Sequence, residues 1–193
     1  MPINLFSHGF LRQRTNILRL LGIAILVEWM THASPHSLWS LSDWDHLIGL
    51  TLITSGLAIR SWAAGHIVKS DALAVHGPYA WVRHPLYLGS LLLLAGFAEL
   101  LEDRLALVGV LLMFGLFYLP AMVREDRRLR DHFGQTWLSY QKETPQWIPN
   151  RWSQSSKTPQ PPWNLYLWVN NGEWRIVTLS IFVVIALQIG GVL

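Results

Sequence analysis

A chain of 193 residues is long enough for one domain. With 51% hydrophobic residues, 14% charged residues and a mean hydropathy of +0.29, it suits a polytopic membrane protein better than a soluble one. Having no cysteine, it is excluded from disulfide, thiolate and thiolate–metal chemistry, and its net charge of +3 follows membrane topology, so no nucleic-acid partner is expected.

Residues 17–30 are the first apolar run, with Arg12, Arg14 and Arg19 at its start and Glu28 near its end. No small-residue cleavage site follows Met30, so a retained helix is expected rather than a cleaved leader. The loop 31–45 holds Asp43 and Asp45 but no Lys or Arg. The spacing of His32, His36 and His46 is a weak metal signal. They are read as solvated, and no metal site is expected. The second run, 46–66, contains Arg60, expected to snorkel or to pair with Glu99 or Glu28. The third and fourth runs, 86–101 and 105–123, are joined by Glu102-Asp103-Arg104, a turn short enough to impose a helical hairpin. A Pro-rich polar linker follows residue 150, and Trp163, Tyr166, Trp168 and Trp174 then suit the membrane interface. The fifth run is 174–193.

The expected fold is therefore all-α, a polytopic membrane protein with about five transmembrane helices. Its expected parts are a core over 1–150, a linker and interfacial segment over 151–173, and a C-terminal transmembrane helix over 174–193. Five spans put the N-terminal arm, the loop 67–85 and the segment 124–173 on one side. All 15 Lys and Arg except Arg60 and Arg104 then fall on that side or at its border. The positive-inside rule makes that side, and the N-terminus, cytoplasmic.

Two polar motifs lie on that side, over 72–89 and 124–149. Gly77-Pro78 favours a turn, and Pro85 suits the first position of a helix, where its missing N–H would be unpaired anyway. Free N–H groups at such a helix start suit an anionic group, and Arg83 and His84 add donors. As an alternative, Tyr79, Trp81, Arg83 and Tyr87 would form a charged, aromatic membrane anchor. Glu125 directly follows an apolar span and is expected to face inward, while Asp126, Arg127 and Arg128 read as a solvated charged face. Phe133-Gly134 reads as a helix stop. The hairpin would bring Arg83, His84, Tyr87 and Glu125 to one pocket. That pocket would suit a ligand with both a carboxylate and an ammonium, and its aromatic rings could hold a sulfonium. His66 and His76 flank it.

The pair of motifs resembles the isoprenylcysteine carboxyl methyltransferases and the phospholipid N-methyltransferases. The residues that carry the resemblance are Gly77, Tyr79, Arg83, His84, Pro85, Tyr87 and Gly89, then Glu125, Asp126, Leu129, Phe133, Gly134, Trp137 and Tyr140. It implies S-adenosylmethionine as the methyl donor. It also implies a lipidic or hydrophobic acceptor drawn from the bilayer, and a site facing the cytoplasm of a bacterial inner membrane. Tyr79, Arg83, His84, Pro85, Tyr87 and Gly89 would shape the donor pocket. The stretch of Ala72, Leu73 and Ala74 would add backbone contacts. Glu125 would take the donor's amino group, and Glu125 with Arg83 would carry the catalytic assignment. The chain departs from the family pattern at Asp126 (a Glu there), at Trp137 (a Tyr) and at Ala121 (an Arg in the prenylcysteine enzymes). Ala121 argues against a prenylcysteine acceptor. A phospholipid N-methyltransferase, a lipid reductase and a non-catalytic membrane subunit remain alternatives.

Overall fold

A computed structural model describes residues 44–68, 72–101, 104–149 and 162–190. The described residues are all-helical. The first apolar run, the Glu102-Asp103 turn and residues 150–161 lie outside them.

Helix α1 (Trp44–Ala64) and helix α2 (Pro85–Leu100) pack antiparallel across a seam of glycines. A Cβ on Gly56 would stand 2.7 Å from the Gly89 carbonyl, and one on Gly96 would stand 2.7 Å from that of Gly49. Contacts this close need residues without side chains, as in membrane helix pairs generally. Gly49 pairs with Gly96 and Gly56 with Gly89, so one heptad of spacing on each helix matches the other.

The fourth apolar run does not stop at residue 123. Helix α3 (Arg104–Met113) continues through a π-helical segment (Phe114–Tyr118) into helix α4 (Leu119–Phe133), one unbroken helix of 30 residues. Pro120 explains the π segment. Its ring would clash with the carbonyl four residues back, and it has no N–H to offer there. A widened turn just before it relieves both problems, and the Leu119 N–H reaches back to the Phe114 carbonyl. Gly134, at φ +52, ends the helix as its composition predicts.

Helix α5 (Gln135–Glu143), the short helix α6 (Leu165–Asn170) and helix α7 (Glu173–Gly190) complete the described chain. The core is a continuous apolar cluster that includes Leu93, Leu94 and Phe97 of α2, Val110, Phe114, Tyr118 and Met122 of the long helix, and Ile176, Val183 and Leu187 of α7. Burial of this surface is the main favourable term holding the helices together wherever water is displaced. Trp44–Ala64 and Arg104–Phe133 are long and apolar enough to cross a membrane, and Pro85–Leu100 is a shorter apolar helix. Leu105, Leu112, Leu116 and Phe117 are exposed on the long helix, as lipid-facing residues would be.

Two expectations change. His46 is not a solvated loop residue but is buried near the start of α1. Arg60 neither snorkels nor pairs with Glu99. It forms a buried ion pair with Glu173 at the start of α7. Its other expected partner, Glu28, lies outside the described residues, as do His32 and His36.

Candidate functional site

The approach to α2 is built by a left-handed glycine and two prolines. Gly77 has φ +60, a conformation other residues adopt only with strain, and a Cβ there would press on the His66 ring. The 3-10 turn Gly77–Ala80 follows, closed by bonds from the Trp81 and Val82 N–H groups to the Pro78 carbonyl, each 3.1 Å. His84 then caps α2, and Pro85 occupies its first position, as expected. The Tyr87 and Leu88 N–H groups both bond to the His84 carbonyl, at 3.1 and 3.0 Å. Much of the donor capacity expected at this helix start is thus spent locally.

Arg83 and His84 turn toward α4. Arg83 Nη1 donates to Asp126 Oδ2 at 3.0 Å, and His84 Nε2 lies 2.8 Å from Asp126 Oδ1. Asp126 is therefore not part of a solvated face. Its carboxylate is half-buried and joins two consecutive side chains across the helical hairpin. Arg83 also secures the segment after α5. Its Nε donates to the Thr144 carbonyl at 3.1 Å, and its backbone N–H donates to Pro145 at 2.9 Å. The guanidinium sits 6.0 Å from the centre of the buried Trp137 ring, where an indole attracts a cation. Tyr140 donates its hydroxyl to the Tyr79 carbonyl at 2.7 Å. Burial raises the Tyr140 pKa. The nearby Arg83 charge opposes that rise, and Asp126 adds to it.

Beneath this network lies an aromatic stack. The His84 and Tyr87 rings meet edge to face, Tyr87 meets Tyr118 in the same way, and Tyr118 stacks on Phe114. Trp147, beyond α5, tilts against Phe114. The π segment places Phe114 and Tyr118 in parallel contact, with centroids 4.6 Å apart. Tyr87 is 1% exposed and Tyr79 is 8% exposed, which rules out the membrane-anchor reading for both.

Glu125 is one residue from Asp126. Its Oε2 is buried and has no hydrogen-bond partner among the described residues. A carboxylate oxygen withdrawn from water without a donor is costly, so it fits a site for a cationic group. Ala121 lies one helical turn before Glu125 and is itself buried. That face of α4 thus offers a carboxylate but no cation of its own at that turn.

The other expected contacts separate. Pro85 is fully buried at the helix start. Gly89 faces α1, not the hairpin, because a Cβ there would meet the Arg60 stem at 2.6 Å and the Gly56 carbonyl at 2.8 Å. Leu73 and Ala74 are half-buried in the stretch before the turn. His66 Nδ1 lies 2.9 Å from the Trp62 carbonyl, and His76 Nδ1 is buried without a hydrogen-bond partner among the described residues. The parts of this site missed in the sequence reading are Asp126 as a bridge, the Thr144–Pro145 clamp and the π segment. Only the last had a local signal, Pro120 inside an apolar run.

Residues 44–136 match the phospholipid methyltransferase family. The chain is 31% identical over 160 residues to a protein-S-isoprenylcysteine O-methyltransferase of Xenopus laevis, covering 77% of this chain and 56% of that protein. With the cobalt-zinc-cadmium resistance protein CzcN of Cupriavidus metallidurans it shares 38% identity over 145 residues, 72% of this chain and 64% of that one. A human protein-S-isoprenylcysteine O-methyltransferase is 27% identical over 142 residues, 66% of this chain and 50% of the relative. The chain thus spans between half and two thirds of the length of these relatives. The glycine seam, Arg83, His84, Glu125 and Asp126 all lie within residues 44–136, the stretch that matches the phospholipid methyltransferase family and that is similar to isoprenylcysteine O-methyltransferases.

Proposed function

We propose that this chain is an integral membrane methyltransferase that moves a methyl group from S-adenosylmethionine to a lipidic or hydrophobic acceptor. The observation that carries this reading is the buried Glu125 Oε2 without a hydrogen-bond partner among the described residues, beside the Arg83–Asp126–His84 lock. The family match and the relatives named as methyltransferases support it. In this reading the membrane part has five spans with the N-terminus in the cytoplasm, and the site opens to the cytoplasm at the junction of α2 and α4. The arrangement of basic residues supports that orientation. A relative from a bacterium is consistent with a bacterial inner membrane.

The residues present fit the donor. Glu125 would hold its ammonium, and the edge-to-face Tyr87–Tyr118 pair would offer π faces to its sulfonium. When bound, the donor supplies a methyl group on a sulfonium, poised for in-line displacement. The protein's task is to position two reactants and exclude water. Arg83 and His84 fix Asp126, Asp126 fixes the rotation of α4, and that rotation aims Glu125. Arg83 thus acts here as a positioning residue. A carboxylate or thiolate acceptor needs no base, whereas an amine must lose a proton first. No residue is assigned as that base.

A second reading, phospholipid N-methylation, is favoured by Ala121. This buried, uncharged side chain one turn before Glu125 offers nothing to an acceptor carboxylate. The two readings separate when membranes are incubated with labelled donor and the labelled lipid is identified. The donor assignment itself is tested by calorimetric titration of detergent-purified protein with S-adenosylmethionine. The wild type is expected to bind, and Glu125→Gln is expected to bind at least about tenfold more weakly, as loss of a charge-assisted hydrogen bond implies. Absence of binding by the wild type, or equal binding by the variant, overturns the proposal.

A further inference from the structure

Arg60 is 5% exposed, and it makes its polar contacts inside the protein. Nε and Nη2 each donate to one oxygen of Glu173 at 2.8 Å, a two-pronged ion pair. Nη1 donates to the Leu86 carbonyl at 3.3 Å and to the Ser90 hydroxyl. That hydroxyl donates to the same Leu86 carbonyl at 2.7 Å. Leu86 stands between Pro85 and Tyr87, in the first turn of α2. Gly89 makes room for the Arg60 stem.

Glu173 opens α7, beyond the family-matched residues 44–136. The segment leading to it is fastened to the end of α1. Trp163 Nε1 donates to the Ser61 carbonyl at 3.0 Å, and the Asn164 N–H donates to Gly65 at 3.1 Å. Asn171 Nδ2 donates to Ala64 at 2.7 Å and to Ile67 at 3.1 Å. These bonds reach carbonyls in the last turn of α1 and just beyond it, where helix carbonyls run out of partners within the helix.

Anchoring alone does not call for a buried ion pair, because apolar residues of similar volume pack there without the desolvation cost. Apolar residues cannot, however, hold the Leu86 carbonyl. We propose that Arg60 is a positioning residue for the donor site, held in register by Glu173, so that the C-terminal helix belongs to the working unit. The inference rests on the functional reading above. Arg60 and Ser90 set the first turn of α2, and that turn carries His84 and Tyr87 toward Asp126 and the aromatic stack.

The test uses the full chain in detergent, with S-adenosylmethionine affinity and thermal unfolding measured side by side. The double variant Arg60→Met/Glu173→Leu is expected to keep its unfolding temperature yet bind the donor about tenfold more weakly. Ser90→Ala leaves the ion pair intact and is expected to weaken binding roughly threefold. It decides the matter alone if the double variant does not fold. Donor binding at wild-type strength in the variants that fold overturns the inference, whether or not the unfolding temperature falls, because the pair would then serve stability only. A wild type that does not bind the donor overturns the functional reading, and the inference with it.

Discussion

His84 Nε2 and Asp126 Oδ1 stand 2.8 Å apart, joining the residue that caps α2 to the one that follows Glu125. Because Arg83 reaches the other oxygen of the same carboxylate, a single side chain fixes both the rotation and the height of α4 against the start of α2. Helix packing alone leaves such rotations soft, since ridges and grooves repeat along each helix.

Asp126→Ala removes the shared acceptor and leaves the Arg83 and His84 donors without it. The expected loss is about 1.5–3 kcal/mol of stability, the range for hydrogen bonds to a charged group. Thermal unfolding of the purified variant measures it. In a double-mutant cycle with Arg83→Met the two losses are expected to be strongly non-additive. Additive losses would show that Asp126 and Arg83 do not act on each other.

Tyr140 gives a pH dependence of definite sign. Its folded pKa is raised, chiefly by burial, above the ordinary value of about 10. Stability from its protonated hydroxyl is therefore complete below about pH 10 and drains away as the pH rises above it. Tyr140→Phe should lose about 1 kcal/mol at neutral pH, from the missing bond to the Tyr79 carbonyl, and should show a flatter alkaline limb. Unfolding curves at several pH values test this. An unchanged alkaline limb in the variant would assign the titration to another group.

The apolar helices and the Gly134 stop were legible in the sequence because each is a local pattern, a run of apolar residues or a residue that tolerates positive φ. Asp126 was misread because helical spacing compares a residue only with its neighbours three and four away. Its partners lie 42 and 43 residues back, across a hairpin. The same limit hid Glu173, which lies 113 residues from Arg60. The π segment was within reach, since Pro120 demands some adjustment of the turn before it. The glycine seam was also within reach, because Gly49 and Gly56 on one run match Gly89 and Gly96 on another. What no local pattern could supply is which of these features would meet.

Asn171 closes the end of α1 from a distance. Asn171→Ala removes both of its bonds, to the carbonyls of Ala64 and Ile67. The expected cost is about 1–2 kcal/mol, and it should be felt most in the stretch 65–68 leading to the site. Hydrogen exchange of those amides is expected to speed up relative to the core of α2. Equal protection in variant and wild type would mean that water replaces the amide at no cost.

Gly56 and Gly109 are both helical glycines, but their surroundings predict opposite effects on stability. A Cβ at Gly56 would stand 2.7 Å from the Gly89 carbonyl and 2.8 Å from the Leu93 nitrogen, both backbone atoms that cannot turn aside. Gly56→Ala must therefore push α1 away from α2, at an expected cost of about 1–3 kcal/mol. The displacement would also carry Arg60 away from Leu86, so donor binding should weaken with it. At Gly109 a Cβ meets nothing within 4 Å. Gly109→Ala should instead stabilise the long helix by about 0.5–1 kcal/mol, because alanine loses less backbone freedom on folding. The two variants, unfolded under the same conditions, should move in opposite directions from the wild type. Matching shifts would rule out a tight glycine seam between α1 and α2.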